Sequence, residues 1–572
     1  MTLMTSSTFS IYDYIIFIST LVFSTLIGIY YGCFGTKQAT TKEYLMGGKN
    51  MKIIPIAISA AISHISGSLL IITVSEVYRY GASISLFIVS YIIMGLLSIF
   101  IYLPVFFKVQ VTNIYDYLEK RFDKRTRMLA FAIYLLSEIV MFPIMAYAPS
   151  LTFATASGIN PTWSAFFLCV ICVFYTSIGG LRTVVWTDFL QFAIIMASLV
   201  TVYAVGVGVS GGFLSVWNTA LQGQRLQVFN FNVDFTARDS FWGYVAGGPT
   251  AVATIIVHQT GLQKFLSLPK YRDCVWSVIH TVISMSIVHI FCVFIGLAVY
   301  SQYKDCDPLT SHMVTKHDQL FPYFVTDVGR RFPGVTGLFV AAICSAALSS
   351  MSSNLNALSG VIYKDLVCRF LKEQPSEKRG SDILKIIVLV VGLLCTCLVF
   401  LVERMGEVFN IILSVNGITQ GPLFGVFSLG ILFPKANHKG AFYGALGGFI
   451  SVACIAIPAR YYQMMGLIKY PTKPLSTTGC TLFNETLSAS NTTLNQDTPL
   501  QPNVIFKTMF YYYVIIGVIV TIVVGLIISV FTTGSPVDKD LLSPVISCLS
   551  TTPRHTQDGN RNTEAAMELL TH

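Results

Sequence analysis

Charge is what this sequence most lacks. Lys, Arg, Asp and Glu make up 11% of its 572 residues, whereas soluble globular domains carry about a quarter. With 54% of the residues hydrophobic, that scarcity excludes a water-soluble fold. An apolar mass of this size needs lipid as its solvent. Other absences narrow the function. No basic stretch precedes the first apolar run, Phe17–Tyr30, and no small-residue cleavage site follows it, so the run is expected to remain as a membrane helix. Cys169 and Cys172 form a C-x-x-C spacing, but no second pair and no histidine set completes it. This argues against zinc or redox chemistry, and these cysteines, like Cys395 and Cys397, are expected to pack inertly. No nucleophile–base pair or metal-ligand set occurs within the apolar spans, which argues against an enzyme. No short filter-like loop or ring-forming charge pattern points to a channel.

What the sequence has instead is uncharged length. Leu86–Phe106 and Val514–Phe531 can cross, or almost cross, about 30 Å of hydrocarbon as helices. They are too long and continuous for barrel strands. Thirteen spans are expected, near 11–32, 53–75, 82–106, 128–156, 161–178, 184–208, 241–263, 275–300, 335–362, 384–403, 406–433, 439–458 and 509–532. The net charge of +9 does not signal nucleic acid, because the basic residues cluster in alternate short loops. Lys37, Lys42 and Lys49 follow the first span, and Lys108, Lys120, Arg121, Lys124, Arg125 and Arg127 follow the third. Lys264, Lys270 and Arg272 follow the seventh, and Lys364, Arg369, Lys372, Lys378 and Arg379 the ninth. Positive-inside bias puts these loops in the cytoplasm, the N-terminus outside and the C-terminus inside. The sequons at Asn484 and Asn491 then fall in an outside loop, the face on which glycosylation occurs. Cys306 and Cys480 also fall in outside loops and could pair, although sequence alone leaves their connectivity open. The Ser-, Thr- and Pro-rich tail is expected to be disordered.

Function in such a chain sits where a span stops looking like a helix made for lipid. The second span runs Ile62-Ser63-His64-Ile65-Ser66-Gly67-Ser68-Leu69. A histidine within a Ser-Gly-Ser cluster at mid-depth is costly unless it faces a polar cavity. An unwound segment exposing carbonyls is expected there; tight packing through small residues is the alternative. In the ninth span, Ser349 and Ser350 recur as Ser352 and Ser353, sharing a helix face. Uncharged hydroxyls with freed carbonyls suit a small alkali cation that must later be released. Asp188, entering the sixth span, is expected to have a cation or a basic side chain such as Arg182 for a partner. Glu138 also lies in a span, but nothing near it in sequence pairs with it, so it ranks below Asp188. Spans 2–6 and 7–11 each cross an odd number of times, as two inverted five-helix repeats would. Gly247-Gly248-Pro249-Thr250 in the seventh span is then the expected counterpart of the break in the second.

With these residues in view, the sequence resembles the sodium/solute symporter family over roughly residues 10–460. Within that family it is most like the branch holding sodium-coupled monocarboxylate, multivitamin and iodide transporters. The resemblance rests on Ser75-Glu76-Val77-Tyr78-Arg79-Tyr80-Gly81, on Gly179-Gly180-Leu181 through Trp186-Thr187-Asp188 to Gln191, and on Tyr303-Lys304-Asp305-Cys306-Asp307-Pro308. Asp318-Gln319-Leu320, the Ser-rich ninth span and Gly421-Pro422-Leu423 add to it. It implies an all-α polytopic membrane protein of LeuT-like fold working by alternating access. The sodium site shared across the family maps onto backbone oxygens of Ile62, Ile65 and Ala346 and hydroxyls of Ser349 and Ser350. A second sodium site, found in some members, maps onto Asp188, Ser352 and Ser353. The solute position maps onto His64, Ser66, Leu69, Phe142 and Asn416. Several of these depart from the branch. His64 stands where it has an aromatic or apolar residue, Phe142 where tyrosine is usual, and Val74 where proline precedes Ser75-Glu76. His258-Gln259-Thr260-Gly261 differs from the usual Asn-Gln segment, and apolar Leu69 argues against iodide.

The expectation is a sodium-coupled symporter of a small organic anion, a monocarboxylate or carboxylate vitamin, in the plasma membrane. The runner-up is a non-transporting solute sensor that retains the symporter fold. Residues 1–52 would hold the outside N-terminus, the first span and a cytoplasmic loop, and 53–433 the transport core. Residues 434–532 would form two peripheral helices with a glycosylated outside loop, and 533–572 the disordered cytoplasmic tail.

Overall fold

The computed structural model describes residues 9–34, 40–371, 375–402, 408–468, 470–480, 502–534 and 536–549. Asn484 and Asn491 lie outside the described residues. The described chain is helical, with ten helices long and apolar enough to cross a membrane, or eleven if one bent pair is counted as a span.

The first, α1 (Ile11–Ile29), begins at Ser10, whose hydroxyl accepts the Asp13 N–H while Asp13 takes the Ser10 N–H in return. Asp13 also accepts the Gly337 N–H at 2.6 Å, which ties this start to the rest of the bundle. Next come α2 (Ile53–His64) and α3 (Gly67–Tyr80), bent by 62° at Ile65 and Ser66. They are followed by α4 (Ala82–Val109), α5 (Lys124–Ser157) and α6 (Pro161–Val209). α6 is 49 residues long and covers two of the expected spans. They meet at Gly180, whose φ of 52° and ψ of −160° break the helix in a conformation that strains any residue with a Cβ.

The second half opens with α7 (Gly243–Val257), α8 (Gln259–Phe265), α9 (Tyr271–Gln302) and α10 (Val335–Phe370). It continues with α11 (Glu377–Val402) and α12 (Val408–Leu432). The seventh span does not leave the helix at Gly247–Thr250; α7 runs on there, through a π-helical turn at Gly243–Gly247 just before Pro249. That widened turn accommodates a proline, which cannot donate an N–H to the helix. The chain instead leaves the helix at His258, extended at φ −88° and ψ 137°.

α10 is the centre of the bundle, with every residue from Phe339 to Ile362 buried, and it packs along α6, α5 and α2. α13 (His438–Met464) and α14 (Tyr511–Val530) pack with α12 to one side. Gly440, Gly444 and Gly448 line up one turn apart on α13 and let α14 approach. Cys306 and Cys480 are disulfide-bonded, with Cα atoms 5.0 Å apart.

The start of the tail differs from the disordered segment that its composition suggests. Residues 536–549 include the short helix Pro544–Leu549. The Tyr117 hydroxyl donates to the Leu541 carbonyl at 2.9 Å, and the Ser543 N–H to that of Ile431 at 3.0 Å. Buried Leu541 supplies the apolar anchor that the polar composition hides. Residues 550–572 lie outside the described residues.

Candidate ion and solute site

The bend between α2 and α3 arises where Ile65 leaves helical geometry and Ser66 caps the next segment, its hydroxyl accepting the Leu69 N–H at 3.2 Å. A broken helix leaves carbonyls without intrahelical donors on one side and N–H groups on the other. The break lies directly against α10: a Cβ on Gly67 would come within 2.6 Å of the Ile343 carbonyl oxygen. Ile62, Ile65, Ala346, Ser349 and Ser350, on the two segments that meet here, are all buried. The Ser350 hydroxyl donates to the Ala346 carbonyl at 3.1 Å, and the Ser349 hydroxyl to Asp188 at 2.6 Å. A hydroxyl whose proton is so engaged still presents lone pairs to a cation.

Asp188, on α6, is fully buried between α2 and α10. Besides Ser349 it accepts hydrogen bonds from Ser59 and, at 3.4 Å, Ser353. Its basic partner is Lys264 of α8, with Nζ 3.2 Å from the carboxylate. Read from the sequence, Lys264 is one of the loop cations that set orientation, yet it is 1% exposed. Its Nζ also donates to the Ser59 carbonyl at 3.0 Å, to Ser353 at 2.8 Å and to Ser63. Ser352 does not join this group; its hydroxyl donates to the Ser349 carbonyl at 3.1 Å. The one signal in the sequence for Lys264 is its distance from the break at His258, less than two helical turns.

Of the expected solute residues, His64, Ser66 and Leu69 alone keep some exposure in the stretch from Ser59 to Leu70, which is otherwise buried. Phe142 is buried in the core, and Asn416 is half-buried on α12. His64 faces His258, their rings 6.2 Å apart and nearly perpendicular. His258 Nε2 lies 3.1 Å from Glu138, so Glu138 does have a partner, brought to it from 120 residues away. One nitrogen of each imidazole, Nε2 of His64 and Nδ1 of His258, is buried without a hydrogen-bond partner. Buried polar atoms are rarely left so, and an arriving polar solute would satisfy them. Farther along α3, a cavity of about 560 Å³ is lined by Ile72, Ser75, Glu76 and Arg79, with Arg238 and His317 opposite. Glu76 and Arg238 form a buried two-pronged ion pair, Nε to Oε2 at 2.9 Å and Nη2 to Oε1 at 2.5 Å.

At the opposite end of α10, Arg127 is also buried, although the sequence groups it with loop cations. It pairs with Asp116 at 2.8 Å, Glu119 at 2.7 Å and Asp365, and Arg369 reaches Glu119 at 3.1 Å. Gln259 at the head of α8 bonds the Ile114 N–H and the Thr112 carbonyl, fastening the second break to this end.

Broken helices meeting a buried, oxygen-rich face inside an apolar bundle define the class: a polytopic, ion-coupled membrane transporter. The chain belongs to the sodium:solute symporter family, whose model matches residues 44–448. It is 36% identical to sodium-coupled monocarboxylate transporter 1 of Homo sapiens over 93% of this chain and 89% of that protein. It is 35% identical to sodium-coupled monocarboxylate transporter 2 of Homo sapiens, over 94% and 87% respectively. The sodium-dependent multivitamin transporter of Oryctolagus cuniculus is 30% identical, over 95% and 86%. The fold matches that of a substrate-bound, outward-open Na+-coupled sialic acid symporter, with a TM-score of 0.75 at 22% identity over 93% of this chain and 99% of that one. Sodium is the coupling ion, and the activity is transport rather than catalysis.

Proposed function

We propose that this protein imports a small organic anion, a monocarboxylate or a carboxylate vitamin, together with sodium across the plasma membrane. The observation that carries this reading is the pair of unpartnered imidazole nitrogens, on His64 and His258, beside the break between α2 and α3. A carboxylate accepting from His64 Nε2, with a donor on the same solute meeting His258 Nδ1, whose ring proton is engaged at Nε2 by Glu138, would satisfy both in one step. The relatives, named for monocarboxylate and multivitamin transport, support an anionic solute of this size.

Sodium in this reading binds the carbonyl oxygens of Ile62, Ile65 and Ala346 and the hydroxyls of Ser349 and Ser350. Because these ligands come from both α2 and α10, the ion steadies one arrangement of the two helices and so favours solute binding beside them. His64, Ser66, Leu69, Phe142 and Asn416 surround the solute. The Glu76–Arg238 pair and the cavity along α3 belong to the outer face, and the Arg127 network to the inner one. Alternating access opens these ends in turn. Thirteen spans, an outside N-terminus and a core over residues 53–433 complete the topology.

The test is uptake of radiolabelled lactate, nicotinate, biotin, pantothenate and iodide in expressing oocytes, in sodium and with choline replacing it. Sodium-dependent accumulation of one carboxylate, lost when Ser349→Ala and Ser350→Ala are combined, is the expected result. Surface-expressed protein that accumulates none of the carboxylates would overturn the reading.

A further inference from the structure

Lys264 ends in a pocket shaped for a cation. Four oxygens surround its Nζ: the carboxylate of Asp188, the hydroxyls of Ser63 and Ser353, and the carbonyl of Ser59. They come from α2, α6 and α10, and both Asp188 and Ser353 belong to the set that resemblance assigns to a second sodium ion. An ammonium has three protons for these four acceptors. One carboxylate, two hydroxyls and a carbonyl form the hard-oxygen shell that a bare alkali cation takes. We propose that the Lys264 ammonium is the resident cation of this pocket, so that the protein couples its solute to one sodium ion. This inference rests on the sodium-symport reading above and adds its stoichiometry.

Charge and space both lead to it. Asp188 supplies one negative charge, and Lys264 neutralises it inside a fully buried site. A sodium ion sharing the same oxygens would sit against the ammonium with no further carboxylate among the four ligands to offset it. Repulsion between like charges at that range, out of water, is large. The ammonium is covalently tethered, so its pocket is filled whatever the sodium concentration. The other Asp188 oxygen accepts from Ser349, which connects the filled pocket to the remaining sodium site and orients a ligand of it.

Charge balance makes the inference measurable. One sodium ion moving with one univalent carboxylate carries no net charge; two would carry one positive charge. Under voltage clamp, the wild-type protein is expected to accumulate its carboxylate in a sodium-dependent way with no charge entering per solute. In equilibrium binding of radioactive sodium, the purified full-length protein is expected to bind one ion. Lys264→Ala is expected to bind two, and Lys264→Ala with Ser353→Ala to return to one. Sodium-dependent uptake carrying one positive charge per carboxylate would overturn this inference and leave symport standing. So would two ions on the wild-type protein, or a folded Lys264→Ala that still binds one, making Lys264 an ordinary ion-pair partner. Sodium-independent uptake would overturn the symport reading itself. Should Lys264→Ala fail to fold, the wild-type charge-to-solute ratio decides.

Discussion

Gly67 and Ile343 touch so closely that the first atom of any side chain at 67 would lie 2.6 Å from the Ile343 carbonyl oxygen. That contact sets the distance between the bend in the second span and the helix that carries Ala346, Ser349 and Ser350. A carbonyl cannot swing aside as a flexible side chain can. Gly67→Ala is therefore expected to push α3 from α10 and raise the half-saturating sodium concentration for uptake, with protein still at the surface. Unchanged sodium dependence in this variant would show that the spacing does not matter to the ion.

Ser350 contributes a hydroxyl to the proposed sodium shell without touching Asp188 in the contacts described. Losing one such interaction costs about 1 kcal/mol, and 1.4 kcal/mol is a tenfold change in affinity. Ser350→Ala should raise the half-saturating sodium concentration by roughly 5- to 10-fold, read from uptake titrated against choline. A maximal rate that falls with no change in that concentration would remove Ser350 from the shell.

Glu76 holds Arg238 in a buried pair whose guanidinium also lies over the Tyr80 ring, 4.5 Å from its centroid. Removing one partner leaves the other charge buried and uncompensated, at about 3–5 kcal/mol. Glu76→Gln is expected to lower the thermal midpoint of the detergent-solubilised protein sharply, and Glu76→Asp much less. Fluorescence-detected size exclusion after heating would measure both.

His317, in the segment between α9 and α10, has its imidazole pKa pushed down to about 4 by burial, with Arg79 and Arg238 adding repulsion. In the unfolded chain the same group titrates near 6.5. The unfolded form therefore takes up a proton first as pH falls, and folded stability declines from about pH 6.5 down to about pH 4. His317→Gln is expected to lose less thermal stability than wild type between pH 6.5 and pH 4.5. Parallel losses in both proteins would assign the acid sensitivity elsewhere.

The Cys306–Cys480 bridge closes a separation of 174 residues and joins two segments read as facing outside. In intact cells, labelling by a membrane-impermeant maleimide should rise after mild reduction, and Cys480→Ser should be labelled at Cys306 without it. Labelling only after permeabilisation would reverse the orientation assigned to these segments.

The break in the second span and the serine-rich helix packed against it were legible in the sequence, because their signals are local. A Ser-Gly-Ser cluster with a histidine, or serines repeating every three residues, is out of place in a lipid-facing helix wherever the rest of the chain lies. The break in the seventh span was legible only in outline. Gly247-Gly248-Pro249 carries the stronger local signal, but a π-helical turn at Gly243–Gly247 carries the helix past the proline, and the departure at His258 comes where the chain turns toward Glu138 and the 112–114 segment. The order of residues 536–549 was hidden for a similar reason, since composition does not register one buried leucine and a few hydrogen bonds.

Sequence by itself determined that this chain lives in a membrane, that its spans are helices, and that the second span is interrupted near Ile65 and Ser66. Those conclusions follow from hydropathy, the lack of charge and short motifs, all of which act over a few residues. Tertiary structure decided which charges meet. Lys264 and Asp188 lie 76 residues apart in the chain, and Arg127 and Asp365 farther still. Whether a lysine near the end of a helix meets water or a buried carboxylate depends on which helices pack beside it. Packing of distant segments is a property of the whole bundle, and no local pattern encodes it.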